Sequence, residues 1–175
     1  AQYDNLIIKN NSAGRGSALF TESSSLDLNH CTITQNNAID GTGFYLNNQS
    51  NIDFINSISW GNGESEFGLE SSTLNIQYSL TETQLGGDNN LNENPEFEDS
   101  RFYNLARVSK AIGSGMNIVS TDLPEYDFFG TTRNQGAILP DLGAIESIYD
   151  STTYRPWHVW VEQDSIGDGS KNFPF

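Results

Sequence analysis

Three short stretches decide the fold: Ile7-Ile8-Lys9-Asn10-Asn11, Thr32-Ile33-Thr34-Gln35-Asn36 and Ser57-Ile58-Ser59-Trp60-Gly61. Their central residues Ile8, Ile33 and Ile58 are 25 positions apart, and a fixed period of 20–50 residues is the signature of a stacked repeat architecture. Downstream the same offset aligns Ala18, Gly43 and Gly68, then Leu19, Phe44 and Leu69. A third apolar alternation follows in each unit: Leu26 and Leu28, Ile52 and Phe54, Leu74 and Ile76, with the register slipping by about a residue. Segments of three to five alternating residues separated by Asn, Gly and Ser are strands and turns, too short and too rich in Gly and Asn for helices. One such unit cannot bury its own apolar face, but copies stacked at the strand spacing of about 4.8 Å can. The expectation is therefore an all-β right-handed parallel β-helix of about three coils over residues 1–93. Ile8, Ile33 and Ile58 should form one inward column and Leu19, Phe44 and Leu69 another.

Composition agrees. Only 35% of residues are hydrophobic, and the polar remainder suits many tight turns. The formal net charge is −15, from 23 acidic and 8 basic residues. Nucleic acid needs Lys and Arg to displace its counterions, and anionic lipid surfaces need the same charge, so neither is an expected partner. Acidic polysaccharides are repelled as well. No run approaches the roughly 20 apolar residues of a membrane-spanning helix, so no insertion is expected. One cysteine, Cys31, excludes a disulfide within the chain. It lies two residues before Ile33, on the same strand face, and its plainest role is that of a small buried hydrophobe. Asn11 and Asn36 occupy equivalent turn positions, as do Ser12, Asn37 and Asn62; Asn tolerates left-handed backbone and can hydrogen-bond along a stack.

From Asn94 the pattern changes. Asn94-Pro95-Glu96-Phe97 leads to Phe102-Tyr103-Asn104-Leu105, Ser109-Lys110-Ala111-Ile112-Gly113-Ser114-Gly115, Asp127-Phe128-Phe129-Gly130 with Arg133, and Pro140-Asp141-Leu142-Gly143-Ala144-Ile145-Glu146. With Phe102 to Gly115 counted as one, these four ordered motifs resemble the C-terminal region of secreted bacterial right-handed β-helix proteins of the pectate-lyase-like and choice-of-anchor superfamily. The departures are Asn94 in place of Asp, Val108-Ser109-Lys110 in place of Gly-Ser-Pro, Gly113 where Asp is usual, and Ile145 in place of Tyr. The resemblance covers Ile8 to Glu146 and implies architecture and a secreted or cell-surface bacterial address. It does not imply one chemistry, since related helices host lyases, hydrolases, adhesins and passive spacers. Residues 94–146 are expected to close the open end of the helix, where strand edges would be bare. Residues 147–156 are expected to be a linker, and Trp157 to Phe175 resembles the opening of a second such domain. Both ends of the chain are expected to be internal to a longer polypeptide, with the open helix end meeting another protein chain.

Catalytic and metal patterns are sparse. His30 and His158 have no second ligand at metal spacing, and Asp164 and Asp168 sit in a Gly-rich turn without the closing Glu of a calcium loop. No cofactor is expected; calcium is the one ion that turn could weakly take. A lyase would need a clustered base, and the repeat region offers only Lys9 and Arg15, in different parts of one coil. A glycosidase would need paired carboxylates about 5–9.5 Å apart, and Glu22, Asp27, Asp53 and Glu70 do not stack at an offset of 25; Asp40 falls in a turn. One surface column stands out. Phe20, Tyr45 and Glu70 each follow an expected inward residue and should point outward, as a platform for a sugar ring with a carboxylate for its hydroxyls. The plainer reading is that the 94–146 segment covers them, or that they are partly buried against a neighbour. The expected function is a non-catalytic structural or adhesive module that contacts polysaccharide. The alternative is a fragment of a polysaccharide lyase or glycoside hydrolase whose catalytic coils lie outside the chain.

Overall fold

The computed structural model describes residues 1–117, 122–134 and 138–149. Its strands, numbered in chain order, form parallel ladders along the stack. One sheet runs β1 (Gln2–Asp4), β5 (Ser25–Asn29), β9 (Asn51–Ile55) and β12 (Thr73–Gln77). A second runs β2 (Ile7–Lys9), β6 (Thr32–Thr34), β10 (Ile58–Trp60) and β13 (Leu80–Thr81). A third holds β4 (Leu19–Glu22), β8 (Thr42–Asn47) and β11 (Ser65–Leu69), and a short pair joins β3 (Ser12–Ala13) to β7 (Asn37–Ala38). Every ladder between them is parallel, with Gln2 opposite Asp27, Leu26 opposite Ile52 and Ile52 opposite Leu74. The coils are therefore unequal in length: the second is the longest and the third the shortest. The chain is a parallel β-helix of about three turns.

The interior is built by the period-two alternation of each strand. Leu26, Ile52 and Leu74 align, as do Leu28, Phe54 and Ile76, and these side chains join Cys31, Ile33, Phe44 and Leu46 in one apolar core. Each fully buried Leu, Ile or Phe contributes roughly 1.5–3 kcal/mol, so a few such columns hold the stack together.

Two expected columns are corrected. Ile8 does lie opposite Ile33, but Ile33 lies opposite Ser59, while Ile58 lies opposite Thr32. The second coil is one residue longer than the first, and a one-residue slip turns every side chain to the other face. Ile58 is only 1% exposed, yet it is buried on the outside, with Leu80, under Leu105, Ala111, Ile112 and Leu142. In the third sheet the column is Leu19, Phe44 and Phe67. The step beyond Phe44 is shorter than the expected repeat, so Phe67 replaces Leu69 and packs on Phe44 with ring centroids 4.9 Å apart. Leu69 lies opposite Leu46 on the last strand of that sheet and stays 48% exposed.

The turns repeat as faithfully as the strands. Asn5, His30, Asn56 and Tyr78 each carry a positive φ of 46–57° at the corner between the first and second sheets. Asn10, Gln35 and Gly61 do the same at the next corner, and Ser23, Asn48 and Ser71 at the third. Asn is the side chain best suited to left-handed backbone, which explains its abundance here. The asparagine ladder runs through Asn11, Asn36 and Asn62. Asn11 Nδ2 donates to Asn36 Oδ1 at 2.9 Å, and Asn36 Nδ2 donates to Asn62 Oδ1 at 2.8 Å. Asn62 therefore continues the Asn11–Asn36 row rather than the Ser12–Asn37 row, again because of the longer second coil. Serine hydroxyls form parallel ladders: Ser24 N–H donates to Ser50 Oγ, Ser50 N–H to Ser72 Oγ, Cys31 N–H to Ser57 Oγ and Ser57 N–H to Ser79 Oγ.

The described part of the 94–149 segment packs on the flank of the coils. It lies along the outer face of the second sheet, because that is where Ile58 and Leu80 present apolar surface. The motif residues are its fasteners. Ala144 N–H donates to Thr32 Oγ1 at 2.9 Å and Gly143 N–H donates to the Asn56 carbonyl at 2.8 Å. Gly143 has φ +91°, and a Cβ there would sit 2.6 Å from Thr32 Oγ1, so only glycine fits. Arg133 is 1% exposed; it pairs with Glu146 at 3.1 Å and donates to Asn5 Oδ1 and to the Gly143 and Ala144 carbonyls. Asp127 accepts from the N–H groups of Phe129, Thr131 and Glu146, and Asp141 from those of Gly113 and Ser147. His30 lies beneath, fully buried, with Asn56 Nδ2 2.9 Å from its Nε2. Burial, then the Arg133 charge, holds its pKa well below the usual histidine value, so it is neutral. The linker and second-domain assignments from residue 150 onward fall outside the described residues.

Candidate functional site

Strand β8 reads Thr42-Gly43-Phe44-Tyr45-Leu46-Asn47; Phe44 and Leu46 are fully buried inside, so alternation points Tyr45 to the outer face. In the ladder Phe20 lies opposite Tyr45, and the two rings stack at 5.6 Å between centroids with planes 22° apart. Phe20 keeps 52% of its surface exposed. Tyr45 keeps 6%, much less than an outward side chain ordinarily would. Its cover comes from neighbours on the same outer face: Phe20 along the stack, and the Arg15 guanidinium 4.4 Å from its ring centroid. The ladder partner on the other side is Gly68, whose missing Cβ would lie 3.1 Å from Tyr45 Cδ2. Glycine there lets the ring lie against the backbone.

Glu70 is not in that ladder column, because Gly68 already occupies the place opposite Tyr45. The Glu70 N–H instead donates to the Leu46 carbonyl at 2.8 Å. The exposed Glu70 carboxylate, with burial adding to the effect, raises the pKa of the Tyr45 phenol, whose buried oxygen has no hydrogen-bond partner in the structure. The structure thus brings Phe20, Tyr45 and Glu70 together. It adds Arg15 and Asp40, which pair at 2.6 Å, with Thr42 N–H donating to Asp40 Oδ1. The Arg15 hydrogen bond holds the Asp40 carboxyl below the usual carboxylate range. The signal for this pair was in the sequence: residues 15 and 40 are one coil apart. Contacts of the 94–149 segment described above fall on the second sheet and its flanking turns, and among the described residues nothing covers Phe20 beyond half of its surface.

The patch joins a half-exposed aromatic face to polar and charged groups. A pyranose ring lays its axial C–H bonds on such a face, while Asp40 and Glu70 can accept hydrogen bonds from hydroxyls. Arg15 is committed to Asp40 and to the Tyr45 ring, so the net field of the patch is negative.

A second arrangement corrects the expectation that the carboxylates do not stack. Asp27 lies opposite Asp53 in the first sheet, since the second coil carries one more position than the expected repeat. The column runs Gln2, Asp27, Asp53, Asn75, and Asn75 Nδ2 donates to Asp53 Oδ1 at 2.7 Å. Asp4, two residues from Gln2 on the same face, accepts from Asn29 Nδ2 at 2.9 Å. Among the described residues no three His, Cys, Asp or Glu side chains are arranged to hold a metal ion, and Asp164 and Asp168 lie outside them. No helix among the described residues is long and apolar enough to cross a membrane. Comparison with family models, with curated proteins and with solved structures gave no match.

Proposed function

We propose that this chain is a structural and adhesive module of an extracellular or cell-surface protein, and that it contacts glycans through Phe20 stacked on Tyr45. The observation that carries the reading is that stack: an outward aromatic pair on adjacent coils, one ring half open, flanked by Asp40 and Glu70. An exposed aromatic held rigidly by a sheet loses little entropy on binding, which favours a recognition role. The pectate-lyase-like affinity and the exterior address rest on the four motifs between Asn94 and Glu146. Their residues make the buried fastenings Arg133–Glu146, Asp127 and Asp141, which supports reading them as one inherited unit. The test is a glycan array probed with the whole chain. Saturable binding to oligosaccharides supports the proposal; an array with no signal at micromolar protein overturns it.

A hydrolytic reading draws on one observation, the Asp27–Asp53 ladder pair on a polar sheet face. Neighbouring strands lie about 4.8 Å apart, close to the roughly 5–5.5 Å of carboxyl pairs in retaining glycosidases. Reducing-sugar release from a polysaccharide by the purified chain, abolished by Asp53→Asn, would favour it over the adhesive reading.

A further inference from the structure

The row beside the Phe20–Tyr45 stack is acidic. Glu22 follows Phe20 by two residues on β4 and Asn47 follows Tyr45 by two on β8, so alternation puts both on the same outer face. Glu22 lies opposite Asn47 in the ladder. On the other side of Asn47, Leu69 lies opposite Leu46 and Glu70 comes one residue later. The Glu70 N–H donates to the Leu46 carbonyl at 2.8 Å, which carries the ladder one step further and sets Glu70 level with Asn47. Two rows therefore run side by side: Phe20, Tyr45 and Gly68, then Glu22, Asn47 and Glu70. Positions two residues apart on a strand are separated by about 7 Å, so a sugar ring lying on Phe20 brings its substituents to the acidic row.

Glu22 and Glu70 are exposed, and among the described residues neither forms an ion pair. Arg15, the cation beside the stack, is already held by Asp40 at 2.6 Å. That hydrogen bond is the first cause of its raised pKa, and the Glu70 charge acts on it more weakly. The Tyr45 phenol makes no hydrogen bond to Glu70, although the carboxylate is near enough to raise its pKa. Glu22 and Glu70 therefore keep their charge and their acceptor capacity for a ligand. Asp40, Glu22 and Glu70 against Arg15 leave two uncompensated negative charges beside a half-open aromatic ring. Uronate carboxylates would be repelled here. An ammonium would donate charge-assisted hydrogen bonds, roughly twice as strong as those of a neutral hydroxyl. The negative face of an aromatic ring attracts cations as well, and the net charge of −15 draws them to the chain.

We infer that the ligand of this face is a cationic amino-sugar polymer, a glycan whose rings carry free ammonium groups; the inference rests on the glycan-contact reading of the Phe20–Tyr45 stack. One ring lies on Phe20, and the ammonium groups donate to Glu22 and Glu70. Phe20 supplies the affinity common to any pyranose, and the acidic row selects among glycans by charge.

The test is calorimetric titration of the whole chain with short oligomers of glucosamine, N-acetylglucosamine and galacturonate of equal length, and with oligolysine as a cation that has no sugar ring. The glucosamine oligomer should bind about tenfold tighter than the N-acetylated one, as two exposed charge contacts allow, and the galacturonate oligomer should not bind. Glu70→Gln should weaken the glucosamine oligomer by about threefold and leave the N-acetylated one unchanged. The double variant Glu22→Gln with Glu70→Gln should bring the two to equal affinity. Asp88→Asn, which removes the same charge from the exposed loop after β13, should change neither. Phe20→Ala should weaken both sugars and leave oligolysine as it was. Equal affinity for the two sugars, both lowered by Phe20→Ala, would overturn the inference and leave the glycan reading standing. Glucosamine binding that survives Phe20→Ala, or that Asp88→Asn lowers as far as Glu70→Gln does, is diffuse attraction to an acidic surface and overturns the inference as well. Binding of none of the sugars would overturn the glycan reading itself.

Discussion

Arg133 reaches Glu146 at 3.1 Å with both side chains closed to solvent; the pair is internal to the 94–149 segment, and the same guanidinium ties that segment to the coils by donating to Asn5 Oδ1. Removing one partner of a buried ion pair strands the other charge and costs about 3–5 kcal/mol. Arg133→Met should therefore lower the urea midpoint sharply and open the segment to proteases before the coils unfold. The double variant Arg133→Met with Glu146→Gln should be less harmed than the sum of the two single variants.

The same cluster sets the pH response. Burial first, then the neighbouring Glu146 carboxylate, pushes the Asp141 carboxyl up to about 7, and burial raises Glu146 as well. An aspartate in the unfolded chain titrates near 3.9. A folded-state pKa above the unfolded one gives stability that is complete below about pH 4 and is lost as pH rises through about 7. Asp99 has the opposite sign. Despite some burial, the N–H groups of Phe102, Asn104 and Arg101 and the Asn104 side chain hold it at about 2, so its contribution is lost only as pH falls towards that value. Thermal melts between pH 4 and 8 should show stability falling by on the order of 2 kcal/mol. Asp141→Asn should flatten that slope, although one of the Gly113 and Ser147 N–H groups loses its acceptor.

Most of the fold was legible because the repeat is carried by apolar alternation. Leu26 with Ile52 and Leu74, and Phe20 with Tyr45, were placed correctly from spacing alone. What was not legible is coil length. An isoleucine at 58 fits an inward column if the coil keeps the repeat and an outer face if it gains one position, and only the partner that covers it decides. That cover is supplied by Leu105, Ala111, Ile112 and Leu142, which no local pattern assigns to the flank of the second sheet. The same slip hid the Asp27–Asp53 pair, and the short third coil moved Glu70 out of the Tyr45 ladder. The Arg15–Asp40 pair is visible in the spacing, its members being one coil apart.

The asparagine ladder makes a graded prediction. Asn36 is fully buried; its Nδ2 donates to the Ile8 and Thr34 carbonyls and to Asn62 Oδ1, and its Oδ1 accepts from Asn11 N–H. Asn36→Ala leaves several of these groups unpaired in the interior, at about 1–3 kcal/mol for each one that water cannot reach. Asn11→Ala, at the exposed start of the ladder, should cost about 1 kcal/mol or less. Chemical denaturation of the two variants checks the order.

Cys31 should be inert in the native chain. It is fully buried, and burial pushes its thiol up to about 12. Thiolates, not thiols, attack disulfide reagents. Ellman's reagent should leave Cys31 untouched in buffer and react stoichiometrically in denaturant, at a rate set by opening of the coils. Prompt reaction of the folded protein would place the side chain outside the core.

The proposed role of the Phe20–Tyr45 stack is glycan contact. The direct measurement is calorimetric titration of the strongest oligosaccharide on the array into wild type and Phe20→Ala. Phe20 is half exposed, so the variant should fold with a stability loss on the order of 1 kcal/mol, and its affinity should fall at least tenfold. Wild-type affinity in a folded Phe20→Ala chain would contradict the account.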